Sequence, residues 1–261
     1  MSHPRDAVGV VSTLLQLNAM THKLILRIYR YKPGHEPHYD TFPVEVPDTA
    51  NVLDAIERVW DDHDRTLMFR HACHHASCGS CGLRVNGCEK LPCVTPVADY
   101  ADGATLTIEP MRNFPVITDI AVDASPLFER MQLVGMPIIR EAESLRADGK
   151  TVFPEGVQDF NRFENCIECG LCLSACPSMA ADPLYLGPVA LAAAERVLAT
   201  TSDSVKRSQI LTLIDDEHSL WRCHSAWECT EVCPYQVNPA EAIMRLKRVV
   251  AAEKFKRLFN R

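Results

Sequence analysis

The sequence predicts two domains of different class, a small α+β domain followed by an all-α domain. Three observations carry that prediction. The alternation of apolar and polar residues that marks a half-buried strand appears only before Val122. Beyond Phe160 nearly every periodic segment has helical spacing. The twelve cysteines fall in three groups: five between Cys73 and Cys93, four between Cys166 and Cys176, and three between Cys223 and Cys233. The 261 residues are enough for two cores.

Residues 1–21 read as an N-terminal extension. Val8 to Met20 is mildly apolar, but Ser12, Thr13, Gln16 and Asn18 interrupt it, and it suits neither a signal peptide nor a membrane span. Residues 22–123 form the α+β domain. Leu24 to Tyr31 alternates as a strand, Pro33 and Gly34 turn the chain, and "YDTFPVEV" returns beside the first strand. Asn51 caps a helix whose apolar face is Val52, Ile56, Val59 and Trp60. "GLRVNG" and "TLTIEP" add two short strands around the first cysteine group.

Residues 124–155 form a linker helix region, since the segment from Ser125 has helical spacing up to an Asp148-Gly149 turn. Residues 156–261 form the helical domain. Its helices are "GPVALAAAERVLAT", "SQILTLIDDEHSLW" and a last one from Pro239 to about Lys256. Asn238, Pro239 and Glu241 give that last helix a capping signature.

A net charge of −7 gives a nucleic-acid partner no electrostatic support. A disulfide scaffold spreads its cysteines through a short secreted chain, whereas these are clustered in a long one, as metal-binding thiols are. Cys73, Cys78, Cys81 and Cys93 follow C-x4-C-x2-C-x11-C, the opening of which is the plant-type [2Fe–2S] spacing. Gly79, Ser80 and Gly82 let backbone N–H groups approach the sulfurs. Structural zinc favours two separated C-x2-C pairs, and only Cys78 and Cys81 form one. Cys88 is left over as a spectator. His71, His74 and His75 read as solvated loop residues, because a Rieske centre would replace two of the cysteines and all four are present.

Cys166, Cys169, Cys172 and Cys176 follow C-x2-C-x2-C-x3-C-P, and Cys223, Cys229 and Cys233 follow C-x5-C-x3-C-P. Superimposed, the two runs coincide except that Ala226 stands where a middle cysteine would be. In two-cluster ferredoxins the last cysteine of each run ligates the other run's cluster. That rule gives Cys166, Cys169, Cys172 and Cys233 to a [4Fe–4S] cluster. It leaves Cys176, Cys223 and Cys229 for a second cluster with three thiolates, read as [3Fe–4S]. A full cubane completed by Glu228 or water is the alternative.

From His22 to Lys256 these motifs resemble the iron–sulfur subunit of succinate dehydrogenase and fumarate reductase, with all eleven ligand positions in register. The resemblance implies a plant-type ferredoxin (β-grasp) domain and a bacterial-ferredoxin-like helical domain. It implies electron transfer from the FAD of a flavoprotein subunit through [2Fe–2S], [4Fe–4S] and [3Fe–4S] to quinone. It also implies membrane anchor subunits holding the chain, as a peripheral protein, on the cytoplasmic face of the bacterial cell membrane. Succinate oxidation is the expected direction and quinol:fumarate reduction the alternative; a free ferredoxin-like carrier is the competing class. Pro177, Ser178 and His224 match quinone-contact positions of the family. The usual tryptophan pair after "CPS" is replaced by Ala180 and Ala181. Trp227 stands either as its substitute or as a buried core tryptophan.

Overall fold

The computed structural model describes residues 21–137 and 163–259. The expected N-terminal extension, and the linker region beyond Pro137, therefore fall outside the described residues. The first part is a five-stranded sheet in the order β2-β1-β5-β3-β4. Strands β1 (Thr21–Arg30) and β2 (His38–Pro47) pair antiparallel, and β5 (Ala104–Glu109) runs parallel to β1. The alternation in β1 buries Leu24, Leu26 and Ile28 against helix α1 (Val52–Asp62). Asp54 accepts from the Asn51 amide at 2.7 Å, the reciprocal half of a capping box. Strands β3 (Leu83–Val85) and β4 (Cys88–Lys90) meet at an Asn86-Gly87 turn with both residues at positive φ, as a tight hairpin requires. A second small sheet joins β6 (Val116–Thr118) to β7 (Ala121–Val122).

The inward face of β1 ends on a charge. Arg30 is 6% exposed and donates to Asp119, Asp40, Asp64 and Thr66 at 2.6–3.1 Å. Asp119, 1% exposed, also accepts from the amides of Tyr31 and Met68. The Thr66 hydroxyl, then Arg30, holds the Asp64 carboxyl down to about 2. A depressed carboxylate contributes stability that is whole above its ordinary range, so this share is lost as pH falls toward 2. Asp119→Ala leaves a buried guanidinium short of its best-shielded partner. Denaturant unfolding is expected to show a loss of about 3–5 kcal/mol; a loss below about 1 kcal/mol would mean the node behaves as a surface pair.

Helix α2 (Ser125–Leu133) stops where Gly135 takes a left-handed φ of 90°. Of the helical segment expected from Ser125, the part within the described residues forms this helix, and the rest lies outside them. Among the described residues the further α-helices are α3 (Leu171–Ala175), α4 (Pro177–Ala181), α5 (Pro188–Thr200), α6 (Ser204–Ile214), α7 (Glu228–Glu231) and α8 (Pro239–Phe259). Helix α5 is buried on nearly every side, Val189 to Ala194 included, and α2, α6 and α8 pack around it. Helix α6 starts earlier than expected because Asp203 accepts from the amides of Val205 and Lys206, and it ends at Ile214. At the start of α8, the Thr230 hydroxyl accepts from the Ala240 amide while Asn238, at φ 58°, binds the Glu241 carboxylate. The expected Asn238 cap is thus replaced by a threonine from α7.

Candidate metal centres

Cys73, Cys78 and Cys81 occupy an irregular loop between α1 and β3, and Cys93 sits in a short turn, Pro92–Val94, after β4. His74, Ala76 and Gly79 all take left-handed backbone, at φ 60°, 59° and 68°, which curls the loop inward. The amides of Ser77 and Cys78 then point at Cys73 Sγ, at 3.2 and 3.3 Å. The Ser80 hydroxyl donates to Cys78 Sγ at 3.1 Å, and with the Ser80 amide it brings that thiol down to about 6. On the other side Cys81 and Cys93 are buried with their sulfurs 3.4 Å apart, and burial pushes Cys81 up to about 12. One side of the loop is therefore wet and ready to ionise, and the other is dry. Cys88 stands exposed at the start of β4.

The other seven cysteines line two clefts. Cys166, Cys169, Cys172 and Cys233 surround one, with Ile167, Leu171, Val189 and Val237. Cys176, Cys223 and Cys229 surround the other. Short helices make the exchange. Helix α3 carries Cys172 to the first cleft and ends at Cys176 in the second. Helix α7 carries Cys229 to the second cleft, and the chain then reaches Cys233 in the first. The duplication also persists in the backbone. Glu168 and Gly170 have positive φ of 55° and 78°, and their counterparts Ser225 and Trp227 have 59° and 65°.

Desolvation dominates five of these thiols. It pushes Cys166 up to about 11, Cys169 and Cys229 up to about 12, Cys172 well above its ordinary value, and Cys176 upward. Gathered thiols that water cannot help to ionise need a bound cation to become thiolates. The first cleft also has an amide aimed at sulfur, from Val237 to Cys233 at 3.3 Å.

The first loop lies directly on the second group. A Cβ at Gly79 would meet Ile167 O at 2.4 Å and Cys169 Cα at 2.9 Å, and one at Gly82 would meet Cys169 O at 3.2 Å. These glycines thus have a role beyond backbone–sulfur approach: they let two ligand loops touch. The seam is latched by Asn113, whose amide donates to the carbonyls of Leu173, Ser174 and Cys176, satisfying the C-terminal end of α3. Ser174 accepts from the Arg112 amide and donates to Glu89. Tyr235 closes the other edge by donating to Ala76 O at 3.0 Å. Asn113→Ala should cost about 1–3 kcal/mol in unfolding free energy. It should also broaden the spectroscopic features of both clefts' centres, and a variant with native stability would show that water replaces the latch.

Pro177, Ser178, His224 and Trp227 all line the Cys176–Cys223–Cys229 cleft. Ser178 is buried, while Pro177 and His224 are exposed. Trp227 is 42% exposed, so the buried-core reading of that tryptophan is overturned. It takes left-handed backbone in the place of Gly170. Ala180 and Ala181 are exposed nearby. Tyr185, fully buried, lines the same cleft and was not legible in the sequence; only its position shortly after the "CP" pair signals it. His71 and His74 are not simply solvated either, since both meet Glu57 on α1.

Two clefts that gather four and three thiols, beside a loop region carrying four more with amides aimed at sulfur, fit an iron–sulfur electron carrier. A 2Fe-2S iron-sulfur cluster binding domain matches residues 25–129, and a 4Fe-4S dicluster domain matches residues 162–237. The fumarate reductase iron-sulfur subunit of Mycobacterium tuberculosis is 37% identical over 92% of this chain and 97% of that protein. The mitochondrial succinate dehydrogenase [ubiquinone] iron-sulfur subunit of Dictyostelium discoideum is 29% identical over 88% and 83%. A solved chain of the Mycobacterium smegmatis Sdh1 complex in the apo form superposes with a TM-score of 0.79 at 27% identity, covering 90% of this chain and 98% of that one. The chain belongs to the family of fumarate reductase and succinate dehydrogenase iron–sulfur subunits.

Proposed function

We propose that this chain is the electron-conducting subunit of a membrane-bound succinate:quinone oxidoreductase. In this reading residues 22–123 are a plant-type ferredoxin domain of the β-grasp type, 124–155 the linker, and 156–261 the bacterial-ferredoxin-like helical domain. Cys73, Cys78, Cys81 and Cys93 hold [2Fe–2S]; Cys166, Cys169, Cys172 and Cys233 hold [4Fe–4S]; Cys176, Cys223 and Cys229 hold [3Fe–4S]. When bound, the clusters supply one-electron redox chemistry at potentials their surroundings tune.

The chain's own residues position and insulate that path. The observation that carries the reading is the contact of Gly79 with the Cys169 backbone, continued by α3 from Cys172 to Cys176. Three thiol sets thus follow one another without an intervening domain. Apolar walls exclude water, and the amides of Ser77, Cys78 and Val237 support negative charge on sulfur.

Electrons enter from the FAD of a flavoprotein subunit and leave to quinone beside Pro177, Ser178, His224 and Trp227. Among the described residues no helix is long and apolar enough to cross a membrane. Attachment to the cytoplasmic face of the bacterial membrane therefore falls to anchor subunits. Exposed Leu184, Trp221 and Trp227, in the segments flanking the third cysteine set, offer them apolar surface. The same path serves quinol:fumarate reduction, and the names of the two relatives support the two directions equally. Low-temperature EPR of the purified complex tests the reading: a [3Fe–4S] signal is expected when oxidised and a [2Fe–2S] signal after succinate. A complex purified without flavin or anchor subunits would instead mark a free carrier.

A further inference from the structure

The geometry points to a second kind of metal site, for a divalent transition ion of the zinc class, formed by Glu57, His71 and His74 on the outer edge of the Cys73 loop. His71 Nδ1 and His74 Nε2 are 3.1 Å apart, and one carboxylate oxygen of Glu57 lies 3.2 Å from the first and 3.4 Å from the second. Three donors at the corners of a tetrahedron around zinc, with bonds of about 2.0–2.1 Å, stand about 3.3 Å apart. All three observed edges lie close to that length, so the donor spacing suits a single ion. Two imidazoles and a carboxylate are the donor set that zinc takes when it keeps an open position for water.

The fold holds these donors on purpose-shaped backbone. His71 stacks on Phe69 with ring centroids 5.0 Å apart, and the His71 and His74 rings meet edge-on. His74 takes a φ of 60°, unusual for a residue with a side chain, and this turns the loop back toward α1. Glu57 is on α1, so an ion here ties that helix to the loop carrying Cys73. Side-chain exposures of 27%, 41% and 42% leave the fourth position open to solvent. No cysteine contributes, and the site is independent of the cluster assignment.

The test is titration of Zn²⁺ into the cluster-loaded full-length chain by calorimetry, with X-ray absorption at the zinc edge. One saturable equivalent is expected, with a nitrogen–oxygen shell at about 2.0–2.1 Å and no sulfur shell. His71→Ala and His74→Gly, the latter suited to the left-handed backbone, should each weaken binding roughly tenfold or more, since even outer-shell changes cost about 10–100-fold. Glu57→Gln should weaken it in the same direction. Unchanged absorption of the iron–sulfur centres in the variants shows that they are folded. Three results would overturn the site: no saturable binding, equal affinity in the His71→Ala/His74→Gly double variant, or a sulfur shell at about 2.3 Å, which would place zinc on thiols such as Cys88.

Discussion

Ala226→Cys is expected to abolish the three-iron EPR signal of the oxidised protein and to raise the iron content by about one atom per chain. Ala226 lines the cleft of Cys176, Cys223 and Cys229, and it is the counterpart of Cys169 in the other run. The residues on either side of it, Ser225 and Trp227, repeat the left-handed backbone of Glu168 and Gly170. A side chain at 226 therefore leaves a backbone shaped like the one that presents Cys169, and a cysteine there completes a set of four. Packing allows the change, because Ala226 is exposed and the added sulfur meets the cleft rather than the core. Iron analysis and EPR on the same preparation read the outcome. An unchanged three-iron signal would mean that the missing thiol does not decide the cluster type.

Cys233→Ser is expected to eliminate the [4Fe–4S] signal and leave the [3Fe–4S] signal, although Cys233 belongs to the second run. Sequence neighbourhood predicts the opposite, since Cys229 is four residues away and serves the other cleft. Cys233 instead lines the cleft with Cys166, Cys169 and Cys172, where the Val237 amide reaches its sulfur. Serine keeps that neighbourhood but offers a harder donor than thiolate. Cys176→Ser is the mirror experiment and should remove the three-iron signal. Loss of the centre belonging to the mutated run in each case would refute the exchange.

Much of the site was legible because ligand spacing is a local property. Eleven cysteines, the Ala226 gap and the repeat could all be read from the chain, and the two clefts gather the seven thiols in the sets that the crossing rule pairs. Strand β1 was legible through its alternation, and α5 through its apolar content. What could not be read depends on contacts distant in sequence. Asn113 caps α3 from about sixty residues away, and Thr230 replaces Asn238 as the cap of α8. Gly79 and Gly82 looked like partners of sulfur, yet the nearest atoms to their missing Cβ belong largely to the other ligand loop. Trp227 read as a core residue by type, yet it stands 42% exposed on left-handed backbone. Glu57 gave no sign of meeting His71 and His74 until α1 and the loop were placed together.

Mössbauer spectroscopy of iron-enriched protein tests the partition of thiols most directly, because it counts the iron in each environment. The account predicts about nine irons per chain, in [2Fe–2S], [4Fe–4S] and [3Fe–4S] components of roughly two to four to three. Zinc in the cysteine sites, or a component ratio of roughly two to eight, would contradict it.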